Sequence, residues 1–251
     1  MTELATTLVQ NLKELNAKER DHLMRFAYLG ATEAYEGDTK RWLSDEMLSA
    51  LKPQLADIHL SPSARCVFAA MDYHLDWLYA ALFRTYKGGE TGVLDDGSPC
   101  KDDSLRPIIG ILEDLDLLVV FADDEKVVVL CIEAKGDASF SKLQLARKLV
   151  RLDRIITASV GSPPPMGLHF KLVLIAPNEP AFNDCVEHAK ALPGERFSDM
   201  RGYLANHPSG IGTGLRFLKL AGFPKTLKKV TRVDPTNASP KRFTHWKIEK
   251  R

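Results

Sequence analysis

Four charged residues near the middle of the chain have the types and the spacing that metal-assisted phosphodiester hydrolysis requires. They are Asp114, Asp116, Glu133 and Lys135, and they flank two apolar runs joined by an acidic turn at residues 124–125. If the segment folds as a hairpin about that turn, Asp116 lies opposite Glu133. In the same register Asp114 lies opposite Lys135, so that all of them share one face of the hairpin.

The two carboxylates of the first pair need a positive partner. Side chains directly opposite each other have β-carbons roughly 5 Å apart, so their charges repel and lose hydration. A divalent cation, Lys135, or both would keep Asp116 and Glu133 ionised. Mg²⁺ suits such a place because it takes one or two carboxylates and fills its other positions with water and phosphate oxygens.

The second strand of the hairpin is apolar until it reaches the charged end. Residues 127–132 read Val-Val-Val-Leu-Cys-Ile. A strand that is apolar at every position has both of its faces covered. We therefore expect a central strand rather than an edge strand.

The charged residues and the hairpin together resemble the active-site signature of the PD-(D/E)xK, or restriction-endonuclease-like, nucleases. Asp116 precedes the hairpin, and the run Ile-Glu-Ala-Lys-Gly that follows it contains Glu133 and Lys135. The resemblance makes these the family aspartate, second acidic residue and lysine. Leu115 stands where the family name has a proline. Asp114 competes with Asp116 for the first role, although only Asp116 lies opposite the glutamate.

The elements around the signature follow the order of that superfamily. Apolar spacing predicts helices over residues 64–86, 138–156 and 181–192, and a strand over 169–177. With the hairpin, this order resembles an αβββαβ core, so we expect an α/β fold with a central mixed sheet. The helix at 138–156 would be a right-handed crossover that makes the strand at 169–177 parallel to its neighbour.

The resemblance also implies how the site binds metal. Asp116, Glu133 and the carbonyl of Ala134 would hold one or two Mg²⁺ or Mn²⁺ ions against the scissile phosphate. Lys135 would orient the attacking water, so we expect Lys135→Ala to abolish Mg²⁺-dependent cleavage without unfolding the protein.

The helix expected before the hairpin offers further ligands. It contains Asp72, His74 and Asp76, and the superfamily often takes an extra ligand from this helix, so Asp76 or His74 would complete the metal site. The alternative is an ordinary acidic pair one turn apart on a wet face, with a histidine bonded to a backbone carbonyl.

The helix expected after the hairpin carries a polar stripe. Gln144, Lys148 and Arg151 recur at helical spacing beside an apolar stripe. By resemblance, Gln144 and Lys142 match residues that some family members add beside the motif lysine. We expect Gln144 to assist catalysis, and Lys142, Lys148 and Arg151 to contact nucleic acid.

Charge is distributed unevenly along the chain. Residues 201–251 contain 12 Lys/Arg against 2 Asp/Glu, whereas the preceding part is acidic. A segment this basic indicates a polyanionic partner, with phosphates held by Lys228, Lys229 and Arg242 and bases stacked on Trp246. The alternative is a basic extension that packs on the acidic body and balances it. The run at 242–250 alternates like a strand, so we expect this end to be ordered.

Composition predicts a globular protein of 251 residues with 45% hydrophobic residues. The four scattered cysteines indicate neither a disulfide framework nor a zinc site. The N-terminus lacks the basic start and apolar run of a signal peptide, and no apolar stretch reaches membrane-spanning length. A cytoplasmic location without membrane contact is therefore expected.

Three units are expected along the chain. Residues 1–60 would form a helical accessory subdomain, 61–200 the nuclease-like core and 201–251 a basic extension packed on that core. Helix-like spacing covers 7–15, 17–30 and 42–51, with Ser44 as a start. This subdomain could serve in recognition, in dimerisation or as a lid.

We therefore expect a metal-dependent nuclease with DNA favoured over RNA as its substrate, and a homodimer is compatible with the sequence. Two alternatives stay open. The first is a catalytically silent nucleic-acid-binding or complex-forming protein that keeps the nuclease-like core. The second is a chance E-x-K sequence whose Asp114 and Lys135 form a cross-strand ion pair worth little.

Overall fold

Helices and strands alternate along the described part of the chain. This computed structural model describes residues 3–18, 43–89, 113–135 and 141–175, three short strands near the C-terminus, and the single positions 21, 24, 106, 108, 110 and 191. The elements in chain order are α1 (Glu3–Leu15), α2 (Asp45–Leu51), a 3-10 helix (Lys52–Ile58), β1 (Arg65–His74), α3 (Leu75–Lys87), β2 (Asp114–Ala122), β3 (Val127–Ala134), α4 (Lys142–Val160), β4 (Leu168–Ile175), β5 (Arg216–Leu218), β6 (Lys228–Val233) and β7 (His245–Lys250).

The expected hairpin forms the centre of a five-stranded sheet with the order β1-β2-β3-β4-β5. β2 and β3 pair antiparallel, from Ala122 opposite Val127 to Leu117 opposite Ile132. This is the register predicted from the sequence. Residues 127–132 are all buried, which confirms the prediction of a central strand.

The sheet is mixed, as the sequence predicted. β1 pairs antiparallel with β2, whereas β4 is parallel to β3 and β5 is parallel to β4. α4 connects β3 to β4 and so provides the expected crossover. The fold class is therefore α/β.

Helical layers cover both faces of this sheet. One core cluster joins α1, α3 and α4 to one face, through residues such as Leu8, Leu78 and Leu152. A second cluster joins α2 and the 3-10 helix to the other face, through residues such as Leu51 and Leu55. Burial on both faces explains why β3 is apolar from Val127 to Ile132, up to the charged residues at its end.

The predicted helix over residues 64–86 is wrong in its first half. Residues 65–74 form β1, and the helix α3 begins only at Leu75. The run Cys66-Val-Phe-Ala-Ala-Met71 is apolar without a break, and periodicity alone does not separate a buried strand from a buried helix in such a run. The start of α3 is marked by His74, whose Nδ1 accepts a hydrogen bond from the main-chain amide of Asp76 at 3.2 Å.

Other sequence expectations hold more closely. The helix predicted over 138–156 is α4, and Ser44 caps α2 by accepting a hydrogen bond from the Met47 amide at 3.2 Å. The run at 242–250 contains β7, which pairs antiparallel with β6. The helices predicted over 17–30 and 181–192 lie almost wholly outside the described residues. No helix in the described ranges is long and apolar enough to cross a membrane.

Candidate active site

The ladder between β2 and β3 ends where the acidic residues begin. Leu117 and Ile132 are the last directly paired residues. One residue further on, the Asp116 carboxylate accepts a hydrogen bond from the main-chain amide of Ala134, with 2.6 Å between Oδ2 and the nitrogen. A side chain thus takes the place of a main-chain acceptor, and it fixes Asp116 beside the residue that follows Glu133.

At the level of Asp116, the neighbouring strand β1 is irregular. Met71 pairs with Leu117 and Tyr73 with Leu115, so Asp72 lies between these pairs at the level of Asp116. Asp72 has a φ of 50°, in the left-handed region that a non-glycine residue seldom adopts. The irregularity changes which residues face the α1-α3-α4 layer, since Ala70 and Tyr73 both belong to that core although they are three positions apart. A strained backbone position therefore lies next to the acidic pair.

Glu133 is the most perturbed carboxylate of this region. Its side chain is only 12% exposed, and burial raises its pKa to about 7. The positive charge of Lys148 acts in the opposite direction, with Nζ 2.5 Å from Glu133 Oε1, and the negative charge of Asp116 adds to the rise. Asp116 and Glu133 therefore interact electrostatically, as the hairpin register predicts.

Lys148 reaches the sheet from α4 and binds two groups at once. Besides Glu133, its Nζ donates to the main-chain oxygen of Asp114 at 2.8 Å. Its side chain is 11% exposed, so Lys148 is an internal ion-pair partner rather than the surface contact to nucleic acid that the sequence suggested. The predicted polar stripe is present on α4, and its Lys148 side chain faces the charged strand ends.

Asp114 is engaged by the N-terminal segment. Lys18 forms an ion pair with Asp114 Oδ2. The other carboxylate oxygen, Oδ1, is buried and accepts no hydrogen bond from the described part of the protein. Nearby, Asp21 is fully buried and accepts a hydrogen bond from the Met71 amide at 3.0 Å. Sequence reasoning missed Lys18 and Asp21, since nothing local connects them to strands that lie 50 or more residues away.

Lys135 lies one residue beyond β3. Its main-chain amide donates to the Ile175 oxygen at 2.9 Å, which continues the pairing with β4. Its side chain is partly exposed, and its positive charge lowers the pKa of Glu133 less than that of Lys148 does. The motif lysine is therefore close to the glutamate, but Lys148 is the lysine in direct contact with it.

Asp76 and His74 have other partners. Asp76 Oδ1 lies 2.5 Å from the guanidinium of Arg151, and Asp76 Oδ2 accepts a hydrogen bond from the Gly110 amide at 3.1 Å. His74 caps α3, and its Nδ1 lies 4.0 Å from Asp76 Oδ2. The expectation that Asp72 and Asp76 share one helix face is wrong, because Asp72 belongs to β1. Asp76 remains near the strand end, but as a partner of an arginine.

Arg151 is fully buried, which excludes the surface position expected for it. It joins Asp76 to Glu113, whose Oε2 lies 2.5 Å from the guanidinium. Gln144 lies exposed in the first turn of α4, where its main-chain amide donates a hydrogen bond to Ser141 Oγ at 3.4 Å. The structure thus puts Gln144 on the same helix as Lys148 but shows no contact between it and the acidic pair among the described residues.

The remaining expected nucleic-acid contacts belong to the C-terminal part. In the two-stranded sheet, Lys228 pairs with Lys250 and Arg232 with Trp246. Lys229 is the neighbour of Lys228 in β6. Arg242 and the side chain of Lys142 lie outside the described residues.

A divalent cation fits this arrangement in a limited way. Within the described ranges, no group of three or more His, Cys, Asp or Glu side chains is placed to hold a metal ion. Mg²⁺ does not need such a group, since one or two carboxylates suffice when water and phosphate oxygens complete the shell. The neighbouring carboxylates of Asp116 and Glu133 meet that requirement. These two residues are therefore compatible with Mg²⁺ or Mn²⁺, provided that other ligands complete the coordination shell.

Comparison of the chain with family models, curated proteins and solved structures gives no match to any of them.

Proposed function

We propose that this protein is a metal-dependent nuclease that hydrolyses phosphodiester bonds of nucleic acid, with DNA as the favoured substrate. The observation that supports this most is Glu133, a buried carboxyl with a pKa of about 7 beside a second carboxylate, Asp116. Such a pair costs stability unless a cation binds it. Buried carboxyl groups whose pKa values are strongly shifted are typical of catalytic sites.

The order of elements gives a second line of support. Three antiparallel strands, β1 to β3, are followed by α4 and the parallel strand β4. This is similar to the αβββαβ order of the restriction-endonuclease-like nucleases, with α3 as an additional helix between the first two strands. The acidic pair lies on the second and third strands, where the signature of that superfamily requires it.

Each residue of the proposed site has a separate role in hydrolysis. Mg²⁺, when bound, would activate a water molecule and neutralise charge on the phosphate. Asp116 and Glu133 hold the cation, and the Ala134 amide keeps the Asp116 carboxylate in place. Lys135, partly exposed at the edge of the site, attracts the phosphate and offsets its negative charge.

Binding of the nucleic acid backbone is assigned to the basic C-terminal part. Lys228 is paired with Lys250 in the two-stranded sheet, so basic residues occur on both of its strands. Arg232 opposite Trp246 adds a cation and an aromatic ring, the combination that binds phosphates and stacks on bases.

A catalytically silent protein on the same core is the second candidate. It is favoured by the internal cations, because Lys148 already neutralises Glu133 and Lys18 already neutralises Asp114. In such a protein the acidic end would be held by lysines, and the basic C-terminal part would carry the function by binding nucleic acid.

A cleavage panel separates these candidates. Duplex, single-stranded and branched DNA, and RNA, are incubated with the protein in Mg²⁺, Mn²⁺ or EDTA. We expect metal-dependent cleavage that falls by about a hundredfold or more in Asp116→Asn and in Glu133→Gln. Asp57→Asn is the matched control, because Asp57 pairs with Lys171 on the opposite face of the sheet. Binding that is unaffected by metal, without any cleavage, would favour the silent candidate.

A further inference from the structure

Two lysines lie near Glu133, and the structure distinguishes them. Lys148 Nζ is 2.5 Å from Glu133 Oε1 and 2.8 Å from the main-chain oxygen of Asp114. Lys148 is thereby fixed between α4 and both strands that carry the acidic residues. Lys135 follows β3 directly and is partly exposed, and its positive charge lowers the pKa of Glu133 less than that of Lys148 does.

We infer that Lys148 is the positioning residue of the site: it fixes the Glu133 carboxylate and supplies the positive charge beside it that the sequence assigned to Lys135. The effect of Lys148 on the reaction rests on the proposed function, whereas its contact with Glu133 does not depend on that function. Lys135, which is partly exposed, then acts on the substrate side, where its ammonium meets phosphate.

Removal of Lys148 has two consequences of opposite sign. An ammonium in contact with Glu133 repels a divalent cation bound to the same carboxylate, so its removal strengthens Mg²⁺ binding. It also frees the carboxylate from α4, and a displacement of about 1 Å at a catalytic group can cost on the order of a hundredfold in rate. Tighter metal binding with slower turnover is a combination that general damage to the fold does not produce.

Lys148→Met keeps the length of the side chain and removes its charge, and Lys148→Arg restores the charge. Lys135→Met tests the motif lysine in the same way. Lys171→Met is the control for loss of a buried lysine that forms an ion pair, because Lys171 is 4% exposed and its Nζ lies 2.6 Å from Asp57 Oδ2 on the opposite face. Mg²⁺ affinity of the free protein is measured by calorimetry at pH 8.5, and kcat and KM are measured on the best substrate of the cleavage panel.

We expect Lys148→Met to bind Mg²⁺ about tenfold more tightly and to lose about a hundredfold in kcat, with KM within threefold of the unmodified protein. Lys148→Arg should recover most of the lost kcat. Lys135→Met should instead raise KM, and Lys171→Met should change neither Mg²⁺ affinity nor kcat.

The inference is overturned if Lys148→Met leaves both Mg²⁺ affinity and kcat unchanged, or if Lys135→Met causes the larger loss of kcat. If the unmodified protein cleaves no nucleic acid, the proposed function fails but calorimetry still decides the role of Lys148. A tenfold gain in Mg²⁺ affinity then supports the contact, whereas unchanged affinity, or no Mg²⁺ binding in any variant, refutes it.

Discussion

Replacement of Glu133 by glutamine should make the metal-free protein more stable at neutral and alkaline pH. The glutamine has nearly the same shape and still accepts a hydrogen bond from Lys148, but it carries no charge. Glu133 is buried, and burial raises its pKa from 4.5 to about 7. The folded protein therefore holds the proton of Glu133 more tightly than the unfolded chain does.

The magnitude follows from that difference. A shift from 4.5 to about 7 corresponds to roughly 3 kcal/mol at about 1.4 kcal/mol per pKa unit. Because the pKa is higher in the folded state, the stabilisation is complete below pH 4.5 and is lost as the pH rises to about 7. Glu133→Gln does not titrate, so its stability relative to the unmodified protein should rise by roughly 3 kcal/mol across this interval.

Urea unfolding followed by circular dichroism, in EDTA and at a series of pH values, measures this difference directly. Titration of groups that do not interact with Glu133 is common to both proteins and cancels in the comparison. Glu125→Gln is the control, because Glu125 is exposed in the turn between β2 and β3. Parallel stability curves for Glu133→Gln and the unmodified protein would refute the reasoning. Mg²⁺ at pH 8 should stabilise the unmodified protein and have little effect on Glu133→Gln.

Three further predictions concern residues that stabilise the two ends of the β2-β3 hairpin. Asp123→Ala removes the acceptor of three main-chain amide hydrogen bonds and should cost about 3 kcal/mol at pH 7 by urea unfolding. Burial raises the pKa of Asp123, but those bonds and Lys126 outweigh it and hold the pKa low, so the loss should shrink as the pH falls below 3.8. Gly167→Ala should cost about 2 kcal/mol or more in thermal unfolding, because Gly167 has a φ of 87° and the added Cβ would lie 2.5 Å from the Glu125 oxygen; unchanged stability would contradict the close approach. Arg151→Met removes the buried arginine that pairs with the partly buried carboxylates of Asp76 and Glu113 and should cost about 3 kcal/mol, and a loss below about 1 kcal/mol would show that these ion pairs contribute little.

The hairpin could be predicted well because a strand has an exact period of two residues. Once the turn at residues 124–125 is placed, the register of β2 and β3 follows by counting, and so does the proximity of Asp116 to Glu133. The apolar run of β3 likewise identified a central strand. The parallel position of β4 followed from the expected crossover helix α4, because a strand that returns through such a connection runs in the same direction as the strand before it.

The strand β1 and the ion pairs could not be predicted for different reasons. β1 is apolar on both faces, so its sequence has no alternation to distinguish it from a helix. The Lys18–Asp114 and Arg151–Asp76 pairs join residues 96 and 75 positions apart, and local patterns contain no information about such contacts. The polar stripe on α4 was the one available signal for Lys148, but spacing alone did not show that the stripe faces the sheet.

Anomalous diffraction from crystals grown with Mn²⁺ would show whether Asp116 and Glu133 bind a cation, since it locates an ion that has the ligand preferences of the proposed site. We predict a manganese peak roughly 2.1 Å from carboxylate oxygens of both Asp116 and Glu133. Ordered Asp116 and Glu133 side chains without a peak between them, in crystals where Mn²⁺ is bound elsewhere, would contradict it.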